Sequence, residues 1–318
     1  MKQSSKIQIY KNLLRIRIIE NKISKEYSEQ KMRCPIHLSI GQEAIAAPLK
    51  YLFNKKDIVV SSHRAHAHYI GKGANIKKFI NELYGNKDGF SRGKAGSMHL
   101  YDKENGFYCS SPIVANIIPV GVGIALSNKL KKNNKTVIIF FGDGATEEGV
   151  FYESLNFASI HKLNIIFICE NNLYSVYSNL KFRQPKNRSI YKVAKSLGVE
   201  SIKSDGNDIN NSIKTFNYAK QFLKKYKKPI FVEFKTYRYL EHCGPYDDDH
   251  LNYRNKSEQN KWKKKDPIKK LFSSISKNEN LELIKFYKKY EKEVNKIFLK
   301  AKKIDYPNQK IAYEKLYK

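Results

Sequence analysis

Ile9, Leu13, Ile16, Ile19, Ile23 and Tyr27 recur every three or four residues, with Lys, Arg, Asn and Glu filling most positions between them. That spacing puts the apolar side chains on one side of a helix and predicts an amphipathic packing helix over 7–30. Further along, two kinds of segment alternate. Ile58–Val60, Val137–Phe141, Ile165–Cys169 and Pro229–Lys235 are short runs rich in β-branched and aromatic residues, the pattern of strands buried on both faces. Asn75–Tyr84, Ile117–Leu130, Glu147–His161 and Ile209–Lys225 carry helical spacing, with Phe151, Leu155 and Ala158 sharing one face of the third. Strand, helix, strand in this order predicts an α/β, doubly wound fold: a mainly parallel sheet with helices on both faces. From Lys256 the chain turns Lys-rich, with helical periodicity at Ile268, Leu271 and Phe272 and again at Ile284, Tyr287, Tyr290, Val294 and Phe298. The pattern therefore divides the chain into an α/β domain over 1–255, opened by the N-terminal helix, and a helical C-terminal extension over 256–318 packed on it. No internal repeat is present.

Composition narrows the class. With 41% hydrophobic and 13% aromatic residues among 318, the chain has the means to build a core, which excludes a wholly disordered protein. The longest apolar runs, Thr136–Phe141 and Ile165–Cys169, fall far short of the ~20 residues of a spanning helix, so no membrane association is expected. Cys34, Cys109, Cys169 and Cys243 stand singly, without the paired spacing of a zinc knuckle or a disulfide framework. The start of the chain shows no apolar leader core, and Glu20, Glu26 and Glu29 speak against a transit peptide, so the expected location is cytoplasmic. The formal net charge is +30. A concentrated basic face would suit a nucleic-acid-binding protein. Here the lysines run along the whole chain amid many Asn and Ile, which favours a solvated lysine-rich surface with no specific nucleic acid.

The candidate chemistry lies in the first half, where 13 of the 16 glycines fall between Gly41 and Gly149. At the end of the Val137–Phe141 strand stands Gly142-Asp143-Gly144, and 26 residues separate Gly144 from Asn171-Asn172 at the end of the next strand. In a doubly wound sheet, ligands collect at the carboxyl ends of the strands. One strand end would present a carboxylate and its neighbour an amide oxygen, hard donors suited to Mg²⁺. Gly142 and Gly144 would let backbone N–H groups approach a phosphate at a helix N-terminus.

The Gly-Asp-Gly to Asn-Asn spacing resembles the thiamine-diphosphate motif. The longer strings Phe141–Gly149 and Cys169–Tyr174 are similar to the α subunit of the two-subunit 2-oxo acid dehydrogenase E1 component. His37–Ala44, Ser62–His66, Lys94–His99, Tyr237–His242, Asn252–Arg254 and Lys265–Ile268 agree in order, and the resemblance spans roughly residues 8–275. It implies a thiamine-diphosphate-binding fold in which Asp143, the Asn172 side chain and the Tyr174 main-chain oxygen hold Mg²⁺. Gly144 and Ala145 would offer N–H groups to the diphosphate, and Arg64 and His242 would hold its oxygens. His63, Pro112 and Val114 would complete the cofactor site, the last two along the aminopyrimidine ring, with His37 near the 2-oxo acid. His37 and His242 are thus the catalytic candidates. His63 stands where the family pattern often has tyrosine, and Pro112 where it often has glycine.

The resemblance further implies an enzyme that decarboxylates a 2-oxo acid such as pyruvate and passes the acyl group to lipoamide on an E2 partner. The glutamate that activates the aminopyrimidine would come from a β subunit, in an α2β2 heterotetramer, so the chain is expected to act only with that subunit. An acetoin dehydrogenase, or an E1-like enzyme without a lipoyl partner, is the alternative, because the Glu241–Asp249 loop differs from the forms typical of pyruvate enzymes. Two local readings stand beside these. His63, His66 and His68 raise a zinc cluster, since residues two apart share a strand face, but no fourth ligand of fixed spacing appears; Cys243 beside His242 raises a nucleophile, disfavoured because neighbours in a loop rarely hydrogen-bond. Asp247, Asp248 and Asp249 are expected to pair with cations such as Arg238 or Arg254.

Overall fold

Six strands run parallel in one sheet: β1 (Ile58–Ser61), β2 (Phe107–Ser110), β3 (Val137–Gly142), β4 (Ile165–Asn171), β7 (Glu200–Asp205) and β8 (Ile230–Lys235), in the spatial order β2-β1-β3-β4-β8-β7. Residues Tyr174–Ser175 and Ser178–Asn179 form a separate small hairpin, β5 and β6. The computed structural model describes residues 3–32 and 34–314.

Successive side chains of a strand point to opposite faces, and the continuous apolar runs supply a core on each. Val137, Ile139 and Phe141 of β3 join one core with Ile117, Phe151 and Ala194, from the helices Ile117–Leu130, Gly149–Ile160 and Ile190–Ser196. Ile138 and Phe140 join the other, with Leu13, Tyr69, Phe79, Phe216 and Val294 from helices on the opposite side. Each such fully buried aliphatic or aromatic side chain contributes about 1.5–3 kcal/mol. The doubly wound expectation therefore holds, and all six strands are parallel. Gly121 lets one helix approach closely: a Cβ there would meet Ile139 Cδ1 at 2.5 Å.

The opening helix spans Gln3–Tyr27, with Ile9, Leu13, Ile16, Ile19 and Ile23 fully buried. It packs against the last long helix, Lys277–Ala301, whose Val294 and Phe298 enter the same core. That last helix starts with a reciprocal Ser276–Glu279 capping box, and the one before it, Pro267–Ser274, is capped by Asp266 with proline in its first turn. Helix starts differ where local chemistry intervenes. The helix expected from Glu147 begins at Gly149, because Asp143–Glu147 form a separate 3₁₀ turn in which Thr146 Oγ1 donates to the Asp143 carbonyl at 2.7 Å.

Candidate active site

The strand order reverses between β1 and β3, and a crevice opens at the carboxyl ends of the strands there. It is a cleft lined by residues from the ends of β1, β3 and β4 and from the 242 loop. The register fixes this convergence: Ser61 pairs with Phe140, and Gly142 with Glu170, so the residues that follow these strands emerge side by side.

Asp143 follows β3 directly and is 1% exposed. Burial pushes its carboxyl above the usual range, against the pull of the Arg183 guanidinium. Arg183 pairs with Asp143 through Nη2 and with Glu147 through Nη1. Gln184 and Arg188 fasten the same segment to the turn, donating to Glu147 Oε1 at 3.0 Å and to the Thr146 carbonyl at 3.1 Å. A strap over residues 180–188 therefore covers the 143–147 turn. The two glycines differ in their reasons. A Cβ on Gly142 would meet nothing within 4 Å, whereas one on Gly144 would strike Ser175 Oγ at 2.7 Å.

Asn172 is buried at the end of β4. Its Oδ1 accepts from the Tyr174 backbone N–H at 3.1 Å, and its Nδ2 donates to Gln42 Oε1 at 3.3 Å. Leu173, between the two, has φ +73°, the left-handed conformation that turns Asn172 and Tyr174 into the cleft. The Tyr174 hydroxyl points away and donates to Glu258 at 2.8 Å.

Opposite stands a basic and aromatic wall. Arg64 is buried and donates to the Leu38 carbonyl at 2.7 Å and the His242 carbonyl at 3.0 Å, with His242 Nδ1 at 3.4 Å. Burial lowers its guanidinium to about 9, so it stays charged at neutral pH. The rings of His37, His63 and His242 gather here, with centroids 4.6, 5.0 and 5.3 Å apart. A parallel bridge between His37 and Gly244, with Gly244 N–H donating to the Ile36 carbonyl at 2.9 Å, ties the two loops together. Burial first, then the Arg64 charge, lowers His63 to about 4 and His242 to about 3, and lowers His37 further. All three are neutral imidazoles at pH 7.

Val114 and Ala145 line the cleft beside Gly144; Pro112 is half-buried two residues before Val114 and is not part of the lining. The strand-face cluster of His63, His66 and His68 does not form, because His66–Lys72 is a helix. His66 is held between Glu20 Oε1 at 2.8 Å and Ser97 Oγ at 2.6 Å. His68 lies between Ser61 Oγ at 2.8 Å and Glu170 Oε1 at 3.1 Å, stacked on Phe140. Both are core histidines. Cys243 is exposed, and burial of its sulfur together with nearby Glu241 pushes its thiol up, the reverse of an activated nucleophile.

The model of the dehydrogenase E1 component family matches residues 11–310. The chain belongs to this family. As an E1 component it is 33% identical over 315 residues to the pyruvate dehydrogenase E1 component subunit alpha of Rickettsia bellii (strain RML369-C), covering 98% of this chain and 95% of the relative. It is 32% identical over 312 residues to the mitochondrial form of Solanum tuberosum, covering 97% and 78%. To the testis-specific mitochondrial form of Rattus norvegicus it is 33% identical over 291 residues, covering 91% and 72%. In this E1 chain sequence reasoning gave no role to Gln42 and Glu170, which line the cleft, or to Arg183, which reaches Asp143 from outside the lining. Gln42 and Glu170 stand inside the strings that carried the resemblance, so their positions were signalled. Arg183 stands outside them, and only the fold brings it to Asp143.

Proposed function

We propose that this chain is the α subunit of a heteromeric thiamine-diphosphate- and Mg²⁺-dependent E1 enzyme that decarboxylates a 2-oxo acid of the pyruvate class and hands the acyl group to a lipoyl E2 partner. One observation carries the reading: Asp143 and Asn172, from neighbouring strand ends, enter one cleft whose far wall presents Arg64, His63 and His242. The donor set suits the groups it would hold. Asp143 already carries a cation, Arg183, and Asn172 Oδ1 has a lone pair left beyond its bond to Tyr174 N–H. Asp143, Asn172 and the Tyr174 carbonyl would hold Mg²⁺, while Arg64, His63, His242 and the N–H groups of Gly144 and Ala145 would hold the diphosphate. The aminopyrimidine would lie along Val114, with Pro112 behind it.

Bound thiamine diphosphate supplies a nucleophilic carbon and an electron sink for decarboxylation. The chain's own part is to position and to exclude water. Arg64, anchored by two carbonyls, gives a fixed positive charge on the cleft wall. His37, neutral and buried, can donate a hydrogen bond to a carboxylate or oxo group without an opposing charge. Glu170 and Asp143 are the carboxylates of the lining, and both are engaged, by His68 and by Arg183. The carboxylate that activates the aminopyrimidine therefore belongs to another chain. The outer surface supports such a partner: Ile113 is 65% and Ile160 67% exposed, with Val114, Val120 and Phe157 also exposed nearby in sequence. An α2β2 assembly satisfies both needs.

The test is co-purification with a β-type partner. Release of CO₂ from a 2-oxo acid by the complex, and none by the single chain, supports the reading; turnover by the single chain overturns it.

A further inference from the structure

His37, His63 and His242 come from three separate loops, yet one ring nitrogen of each lies within 4.8 Å of the other two. His37 is 6% exposed, and its Nδ1 has no hydrogen-bond partner. A buried imidazole nitrogen left without a partner costs free energy, which a ligand at that point would recover. We propose that these three imidazoles form a site for a borderline transition-metal ion of the Zn²⁺ class, separate from the oxygen donors at Asp143 and Asn172.

The donor chemistry separates the two. Three imidazoles suit Zn²⁺ and its neighbours, whereas carboxylate and amide oxygens suit Mg²⁺. Tetrahedral Zn²⁺ with nitrogen ligands at about 2.0–2.1 Å needs them about 3.3 Å apart, so the rings must close in. His63 and His242 are only partly buried. His37 is held by the bridge to Gly244 and acts as the fixed member. The 3.4 Å contact from Arg64 to His242 Nδ1 is long, so the metal-bound nitrogen sets the tautomer of that ring, while the Arg64 bond to the His242 carbonyl is kept. The Arg64 charge opposes a dication, and the Glu20 and Glu170 carboxylates act on Arg64 to offset part of that charge.

The same imidazoles stand where anionic ligands would be received. A bound Zn²⁺ therefore withdraws His63 and His242 from a diphosphate, and the site makes loading of the cleft sensitive to zinc. The metal site itself does not depend on the thiamine reading.

The test uses the full chain, titrated with Zn²⁺ alone in excess Mg²⁺ by calorimetry, and with Co²⁺ followed by its ligand-field absorption. The expected result is one equivalent bound with the strong visible bands of tetrahedral Co²⁺. His63→Gln and, as a second variant, His242→Gln should each weaken binding by about 100-fold, with circular dichroism showing the fold retained, while Asp143→Asn leaves Zn²⁺ binding in place. Octahedral Co²⁺ spectra, Zn²⁺ affinity unchanged in both histidine variants, or loss of binding in Asp143→Asn alone would overturn the proposal. Zn²⁺ bound as expected by the chain, with no thiamine diphosphate taken up by its complex with the β-type partner, would uphold the metal site and remove the thiamine reading instead.

Discussion

The Arg183 guanidinium lies on the Asp143 carboxylate and bridges it to Glu147. A side chain 40 residues away in sequence thus puts a positive charge on the carboxylate assigned to Mg²⁺. Loading must displace it, since one carboxylate cannot serve both cations at full strength. A charged hydrogen bond of this kind contributes about 1.5–3 kcal/mol. Arg183→Gln should therefore tighten Mg²⁺-dependent thiamine-diphosphate binding on the order of tenfold, at some cost in thermal stability because Asp143 loses its buried partner. Calorimetric titration and a melting curve check both effects. Weaker cofactor binding would show that Arg183 holds the cofactor and does not compete with it.

The histidine wall gives a pH signature. The folded-state values of His63, about 4, and His242, about 3, lie below the unfolded value near 6.5. The folded chain therefore binds fewer protons than the unfolded one, and stability falls as pH drops through about 6.5 and on toward the folded values. A diphosphate against these rings favours their charged form, so its binding should take up protons at pH 6 and almost none at these rings at pH 8. Calorimetry in buffers of different ionisation enthalpy measures that uptake, which His63→Gln should reduce. Equal uptake at both pH values would detach the histidines from the diphosphate.

Asp248 organises the loop after His242. It is buried between Arg238 and Arg254 and accepts from the Tyr253 hydroxyl; Asp247 and Asp249 are exposed. The pairing expected of all three aspartates with these arginines thus belongs to Asp248 alone, because a loop residue flanked by outward neighbours is the one that turns in. Burial pushes the Asp248 carboxyl up, but Tyr253 and the two arginines more than offset this and hold it below the usual range. The stability it lends is present above its unfolded value near 3.9 and is lost as pH falls through the lower folded value. Asp248→Asn should raise protease sensitivity over 242–255 severalfold at pH 7, while Asp247→Asn and Asp249→Asn leave it unchanged. Equal effects from all three would contradict the assignment.

What the sequence made legible follows from what its pattern encodes. β3 and β4 are continuous apolar runs because both faces are covered, and the carboxyl ends carrying Asp143 and Asn172 could be placed from them. The edge strands were not legible. β7 reads Glu-Ser-Ile-Lys-Ser-Asp, and β2 is only four residues long; an edge strand with partly exposed side chains leaves too little apolar signal. The helix His66–Lys72 was missed because its histidines suggested a ligand set, when each in fact satisfies a buried carboxylate and a hydroxyl. Gln42 and Glu170 were visible as members of the strings that carry the resemblance but had no assigned partner, since Asn172 and His68 meet them only in three dimensions.

The central claim is that Asp143 and Asn172 make this cleft a Mg²⁺-dependent thiamine-diphosphate site. Titration of thiamine diphosphate into the full chain with its partner, with and without Mg²⁺, tests it most directly when wild type is compared with Asp143→Asn. The substitution keeps the shape of the side chain and removes its charge, so circular dichroism should be unchanged. The account predicts saturable binding that requires Mg²⁺ in the wild type and a loss of at least about 100-fold in affinity in the variant, in line with removal of a charged metal ligand. Affinity that is the same in both proteins, or the same with and without Mg²⁺, would contradict it.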